Sequence, residues 1–346
     1  TLDQIPASMI ESIEVITNPS ARLAPDGMAG ILNVVLKKKK ESGFNGMATI
    51  GASSSCVYHD NKHNIFLSGY NGNLSFNYRY DKINLFVSYG YRHHGHRNGG
   101  TMWRDSWFGT GDDREFSRME QENFGNNHGG FHNASLAFDY YINKYNTLTF
   151  NLGGHFGRMD RLSDLFSSTV NTTLLDTSFC YTQNGGNNNK FNSVEASVNY
   201  KKTFEMPGRE LTADIFFTQR GGHANNELFQ QHWEGLDNFY QTTFTEDKNR
   251  DASAQIDFVT PLGYGGRVET GYKLSYRGVG QDYHLFSGIS QEDTTEDLTQ
   301  RNNFQYTELL NALYFIYSNT FWKKLQLQAG LRGEISYTIS DLKSAD

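Results

Sequence analysis

The chain has 346 residues, a net charge of −7 and only 37% hydrophobic side chains, yet 14% of it is aromatic. That balance excludes a nucleic-acid binder, whose affinity rests on clustered Lys and Arg against phosphate, since Lys37 to Lys40 is the lone basic run. No apolar run approaches the ~18 residues of a membrane-spanning helix, but a mean hydropathy of −0.62 leaves a membrane β-barrel open, because there only alternate residues meet lipid and the average cancels.

Residues 1–42 differ from the rest of the chain. Ile10 to Thr17 and Ile31 to Leu36 read as two short buried strands, separated by Asn18, Pro19, Asp26 and Gly27, with Gly30 ahead of the second. They form a small remnant domain, distinct from the strands of residues 43–346. Asn18, Pro19, Gly27 and Gly30 suit turns, because glycine and asparagine accept backbone angles that other residues resist.

From Phe44 the pattern becomes a strand rhythm. Phe44 to Ala52 opens it, and Asn64 to Tyr80 reads as one long strand with Leu74, Phe76, Tyr78 and Tyr80 on one face and Asn73, Ser75, Asn77 and Arg79 on the other. After a turn at Asp81 and Lys82 the split continues with Ile83, Leu85, Val87, Tyr89 and Tyr91. The second hairpin sets Leu136, Phe138 and Tyr140 before a turn at Asn143 and Lys144, then Leu148, Phe150 and Leu152. The third sets Val194, Ala196, Val198 and Tyr200 before Pro207 and Gly208, then Leu211, Ala213, Ile215 and Phe217. The fourth uses Ala254, Ile256 and Phe258, then Val268, Tyr272 and Leu274. In the fifth, both faces of Leu309 to Tyr317 are apolar, so its inward face is not assigned, while Leu325, Leu327, Ala329 and Leu331 alternate cleanly.

The turn centres near Lys82, Lys144, Met206, Gly263 and Trp322 recur every 57 to 62 residues, and the stretches midway between them are long, polar and glycine-rich. Short turns at one end and long loops at the other are the habit of an outer-membrane barrel, whose interface girdles also absorb the aromatic excess. The expected fold is therefore all-β, an antiparallel transmembrane β-barrel of about eleven strands in this chain. Eleven is odd, and an open edge in lipid leaves backbone groups unpaired at several kcal/mol each, so these strands are expected to be about half of a larger closed barrel.

Few residues carry chemistry. His93, His94 and His96 sit where a long loop would begin, and only His94 and His96 share a strand face. Without a third ligand they read as solvated. His59 and His63 stand ~13 Å apart on a straight strand and make no ligand pair. The acidic residues Glu292, Asp293, Glu296 and Asp297, with Asp112, Asp113 and Glu115, make loops that could take a cationic ligand or calcium, although such runs are usually just solvated. Cys56 and Cys180 read as unpaired thiols, with a bridge left open because both fall near loop ends on one side. No metal site, cofactor site or catalytic motif is expected. A nucleophile triad assembled from neighbouring strands would leave no linear motif, so an enzyme stays as a minor alternative.

The run LDQIPASMIESIEVITNPSARLAPDGMAGILNVVLKK, Leu2 to Lys38, resembles the end of the plug domain of TonB-dependent outer-membrane receptors of the Bacteroidetes type. Gly43 to Gly46 and GLRGE at Gly330 to Glu334 extend the resemblance more weakly. It implies a plug inside a barrel of about 22 strands and import of a scarce ligand, a siderophore, glycan, peptide or similar, across the outer membrane of a Gram-negative bacterium. The implied partners are outer-membrane lipid, a small ligand, and the TonB complex through a segment that this chain lacks. Asn18, Pro19, Gly27 and Gly30 match the family's plug turns. Ligand contacts are expected from the long loops and from the lumen-facing charges Arg79, Arg92, Asp139, Glu195, Asp214, Arg332 and Glu334, each of which would also serve lumen hydration and inter-strand pairing. A passive porin or a surface adhesin barrel is the alternative.

Overall fold

A computed structural model describes residues 10–16, 31–36, 42–59, 62–111, 114–171, 176–233, 235–322 and 324–344. Asn18, Pro19, Gly27, Gly30, Lys37 to Lys40, Asp112 and Asp113 lie outside them.

Two strands, β1 (Ile10–Ile16) and β2 (Ile31–Leu36), pair antiparallel in a sheet of their own, with Ile13 opposite Val34 and Ile16 opposite Ile31. All other strands belong to one antiparallel sheet. In chain order they are β3 (Gly43–His59), β4 (Lys62–Tyr80), β5 (Ile83–Phe108), β6 (Glu115–Asn143), β7 (Asn146–Asn171), β8 (Asp176–Thr203), β9 (Glu210–His232), β10 (Phe239–Leu262), β11 (Gly266–Gly288), β12 (Thr294–Glu296), β13 (Asn302–Phe321) and β14 (Leu325–Ser344). Each long strand pairs with its sequence neighbours, an eleven-strand meander from β3 to β14, and the short β12 folds back onto the end of β11.

The short connections fall where the sequence puts them. Asp81 and Lys82 alone join β4 to β5, with Asp81 at φ 45°, the left-handed backbone that two-residue hairpins require. At the β6–β7 turn the Asn143 side chain accepts hydrogen bonds from the backbone N–H groups of Tyr145 (2.9 Å) and Asn146 (3.0 Å), holding the reversal in place. At the next turn Gly208, at φ 81°, follows Pro207.

Register joins the alternating rows into one belt. Tyr78 lies opposite Leu85, Leu85 opposite Phe138, Phe138 opposite Phe150, Phe150 opposite Val198, Val198 opposite Ile215 and Ile215 opposite Ala254. Ala254 then faces Leu274. The outward side chains of this belt are exposed or half-buried on the isolated chain, with Ile215 at 61% and Leu74 at 60%, as suits lipid-facing groups. Tyr80, Tyr140 and Tyr200 border it near the turns, and Tyr89, Tyr91 and His132 border it further out, with the Tyr89 hydroxyl 2.7 Å from His132 Nδ1. Rings at both edges match the two aromatic girdles of a membrane barrel. From Ile83 to Tyr91, β5 crosses in nine residues, about 30 Å at ~3.3 Å per residue along a tilted strand.

Tilt is visible in the register itself. One row of paired residues runs Ile50, Gly72, Tyr91, His132, Phe156, Asn192, Gly221 and Lys248, passing from the apolar belt into polar surroundings. Rows perpendicular to the strands therefore run oblique to the membrane, as in any sheared barrel.

The structure settles the fifth hairpin. Leu309, Leu313, Phe315 and Tyr317 share the lipid face, and Ala312, Tyr314 and Ile316 point inward, where Ile316 is 0% exposed. With Val259 and Asp257, also buried, they form the best-packed part of the inner face.

Several sequence expectations change. The stretches read as long loops are mostly strand: β5 has 26 residues and β6 has 29, so these ladders run about 50 Å beyond the membrane crossing. His93, His94 and His96 accordingly lie within β5, and Glu115 begins β6. The opening strand continues from Ala52 to His59. The chain reverses between His59 and His63, placing His59 opposite Lys62 and Tyr58 opposite His63 on neighbouring strands. Cys180 is a free thiol on β8, and Cys56 lies on β3 with four strands between them.

Candidate functional site

The inner face carries two zones of distinct chemistry. Near the turns it is a hydrogen-bonded polar lattice. Asp139 on β6 is its first node: Asn84 Nδ2 donates to one carboxylate oxygen (3.0 Å) and Thr149 Oγ1 to the other (2.7 Å), while the Tyr141 hydroxyl reaches it at 3.5 Å. The Arg79 guanidinium stands over the Tyr141 ring, 5.0 Å from its centroid. Further along, Asn199 Nδ2 donates to Asp214, and Lys201 Nζ pairs with Glu210 at 2.7 Å. At Asp257 the buried Tyr314 hydroxyl and Gln255 Nε2 (3.0 and 2.8 Å) donate to the carboxylate, beside Gly271, whose missing side chain leaves room for the Tyr314 hydroxyl. Arg332 Nε bonds Glu334 Oε1 at 2.6 Å.

Of the seven sequence-predicted lumen residues, the register puts Arg79, Asp139, Asp214 and Glu334 on strands linked through one row, with Arg332 on the adjacent inward row. Their side chains engage one another's neighbours in the lattice. Glu195 and Arg92 lie further out. Glu195 lies over Gly153, and Arg92, exposed, is the cross-strand partner of Phe131.

Beyond the membrane level is a zone the sequence reading missed, a row of stacked rings on the inner face. His94 stacks on Phe131 (centroids 5.4 Å), Phe131 lies 5.6 Å from Phe191, and Phe191 stacks on His155 (5.1 Å). Glycine makes the row possible. Gly157 sits between Phe131 and Phe191 in register, and a Cβ there would collide with the Phe191 ring and come within 2.8 Å of the Phe131 ring. Among the described residues, His94 Nδ1 is buried without a hydrogen-bond partner. Burial first, then the nearby Arg92, His93 and His96, holds the His94 pKa below the usual imidazole range, so the ring is neutral at pH 7. The sequence signal was available: on an extended chain Phe131 has the inward parity of Asn133, Ser135 and Asp139.

His93, of opposite parity, stacks on Tyr70 at 5.0 Å on the outer face. His284 on β11 has Nδ1 2.6 Å from Oε1 of Glu296 on β12, tying the acidic segment after β11 to the wall. Among the described residues, no group of three or more His, Cys, Asp or Glu side chains is arranged to hold a metal ion.

Residues 202–346, from the end of β8 through β14, match the outer membrane protein beta-barrel family. This is an outer-membrane β-barrel chain. Among solved structures, the crystal structure of the ferric-catecholate import receptor Fiu from E. coli K12, in its open form, aligns over 96% of this chain and 79% of that one, at 10% identity and a TM-score of 0.21. No protein of curated function matches the sequence.

Proposed function

We propose that this chain is the plug end and the first half of the wall of a TonB-dependent receptor, importing a scarce ligand across the outer membrane with energy drawn from the inner-membrane proton gradient. The observation that carries this reading is its two-part construction. A small separate sheet, β1 with β2, is built from the IESIEVI and ILNVVL runs that resemble a receptor plug, and it precedes a wall whose inner face is a lattice of charges and amides. A passive pore or an adhesin needs no such sheet ahead of its strands. In this reading residues 1–42 are plug and 43–346 are barrel, and Asn18, Pro19, Gly27 and Gly30 shape the plug turns.

Ligand is met first outside the membrane, at the ring row with Arg92 beside it, and then passes the charges Glu195, Asp139, Asp214, Arg79, Arg332 and Glu334. The rings offer flat apolar faces and Arg92 a fixed positive charge, which suits a ligand with both a planar or sugar-like face and an anionic group.

Growth of a strain carrying the full-length gene, on iron, haem, glycan or cobalamin sources, tests the proposal. Rescue by one source that stops when the proton gradient is collapsed supports import and names the cargo; rescue indifferent to the gradient replaces it with a passive pore. In the first case Phe131→Ala with Phe191→Ala should lower uptake at limiting ligand and leave uptake at saturating ligand unchanged.

A further inference from the structure

On the outer face, the first charge beyond the apolar belt is a cation on three strands of the wall. Outward-facing positions on β10 read Phe258, Ile256, Ala254 and Ala252, then Arg250 and Lys248. On β8 they read Val198, Ala196, Val194 and Asn192, then Lys190, and on β7 Phe150, Leu152, Gly154 and Phe156, then Arg158. On β9, between β8 and β10, the first titratable group is His223. Register sets Arg158 opposite Lys190, an arrangement of like charges that destabilises a sheet unless an anion sits between them.

The acidic groups of this face stand further from the membrane. Asp160 follows Arg158 and is held by it (2.9 Å), by Asn188 and by His128 (3.6 Å), and Glu246 follows Lys248 and pairs with it at 2.6 Å. Asp282 lies opposite Glu246 on β11. Arg250 is exposed and, among the described residues, makes no ion pair, and the same holds for Lys190. Gly221 and Gly280 flank Lys248 in register, and Gly278 flanks Arg250, so no neighbouring side chain covers either cation from those sides. Below Lys248 and Arg250 the belt is lined on β10 by the small side chains of Ala252 and Ala254, a shallow trough between Ile215 and Phe217 on β9 and Leu274 and Tyr276 on β11.

We propose that Arg158, Lys190, Lys248 and Arg250 bind the phosphate groups of a phosphorylated glycolipid in the outer leaflet, with its acyl chains lying in the trough beneath. The position selects this partner over a soluble anion. Short turns mark the periplasmic end of a barrel, so these cations stand at the outer-leaflet head-group level. The order is belt, then cations, then acids, which places positive charge where lipid phosphates lie and repels them from the surface above. Basic side chains beside an anionic lipid surface each contribute a factor of roughly five in binding.

Native mass spectrometry of the full-length protein in neutral detergent, titrated with lipid A bearing both phosphates, tests the assignment. The expected result is saturable binding that Lys248→Gln with Arg250→Gln weakens by about tenfold or more, while Lys202→Gln at the turn end leaves it unchanged. Equal affinity in the double variant would overturn the proposal. So would equal binding of dephosphorylated lipid A, and so would displacement of lipid A by equimolar inorganic phosphate, which would identify a site for free anions. Retained heat-modifiable mobility on electrophoresis verifies folding of each variant. Should the double variant misfold, Arg250→Gln alone carries the test, with an expected loss of about fivefold.

Discussion

The half of each strand near the short turns and the half beyond the membrane have the same backbone and opposite sequence grammar. From Ile83 to Tyr91, β5 alternates apolar and polar side chains except at Phe86, whereas from Arg92 to Phe108 it carries histidines, glycines, arginines and tryptophans with no period. Both halves pair continuously with β6, Leu85 with Phe138 in one and Met102 with Gln121 in the other. Alternation thus reports what a strand faces, with lipid on one side and a wet lumen on the other, and not whether a strand exists. Where both faces are wet, backbone pairing persists and the pattern that betrays it vanishes.

The largest test of this contrast is an arginine placed on the outward face at two heights. Ile215→Arg, in the middle of the belt, should cost on the order of 2 to 4 kcal/mol and impair assembly. Trp103→Arg, on the outward face of β5 far beyond the belt and 70% exposed, should fall within about 0.5 kcal/mol of the parent. Asn151→Arg, exposed and inward at belt height, should also be tolerated. Urea refolding into lipid vesicles measures all three, and equal losses for Ile215→Arg and Trp103→Arg would break the division into two halves.

The second test lies on the inner face near the turns. Asp257 is 2% exposed and receives hydrogen bonds from the Tyr314 hydroxyl and the Gln255 amide. Tyr314→Phe keeps the ring and deletes one donor to a buried carboxylate, so it should cost about 1 to 3 kcal/mol. Gln281→Leu, which removes a 3.0 Å bond to Asp247 on the exposed inner face beyond the membrane, should cost less in the same refolding assay, because water replaces the lost partner. A reversed ranking would mean that the inner lattice is not what holds the lower wall.

This contrast also explains what was legible in the sequence. The facing of Leu74, Leu85, Phe138 and Ile215 followed from periodicity, and the five turns and the outer-membrane setting from the regular turn spacing and the aromatic excess. The extension of β5 through Phe108 did not, because HHGHRNGG has the composition of a loop. The inner face of β13 was hidden for the opposite reason: Tyr314 and Ile316 pack inward as Leu313 and Phe315 pack outward, so both parities are apolar. Ser88 has the right parity for an inward polar residue, but it is 6% exposed and lies 2.5 Å from the Ser135 hydroxyl, a packing that period two cannot foresee. The ring row of His94, Phe131, Phe191 and His155 joins four strands, and only register brings its members together.

The smallest expected effect belongs to the far tip of the β5–β6 hairpin. Arg118 donates to both oxygens of Asp105, at 2.7 and 2.9 Å, across a directly opposed pair. That hydrogen bond, supported by the charge of Arg118, holds the Asp105 carboxyl below the usual carboxylate range. Because the folded value is depressed, whatever stability the pair supplies is fully present above the unfolded carboxylate value of about 4 and fades as pH falls through the folded one. Both groups are open to water, so salt should screen the pair. Asp105→Asn should therefore speed amide exchange of the tip at pH 7 and low salt, with no change in exchange from Ile83 to Tyr91. The difference from the parent should shrink on acidification below the folded carboxyl value and on adding salt. A loss that spread into the membrane-crossing residues would show that the two halves of the strand fold as one cooperative unit, and would remove the independence on which the contrast rests.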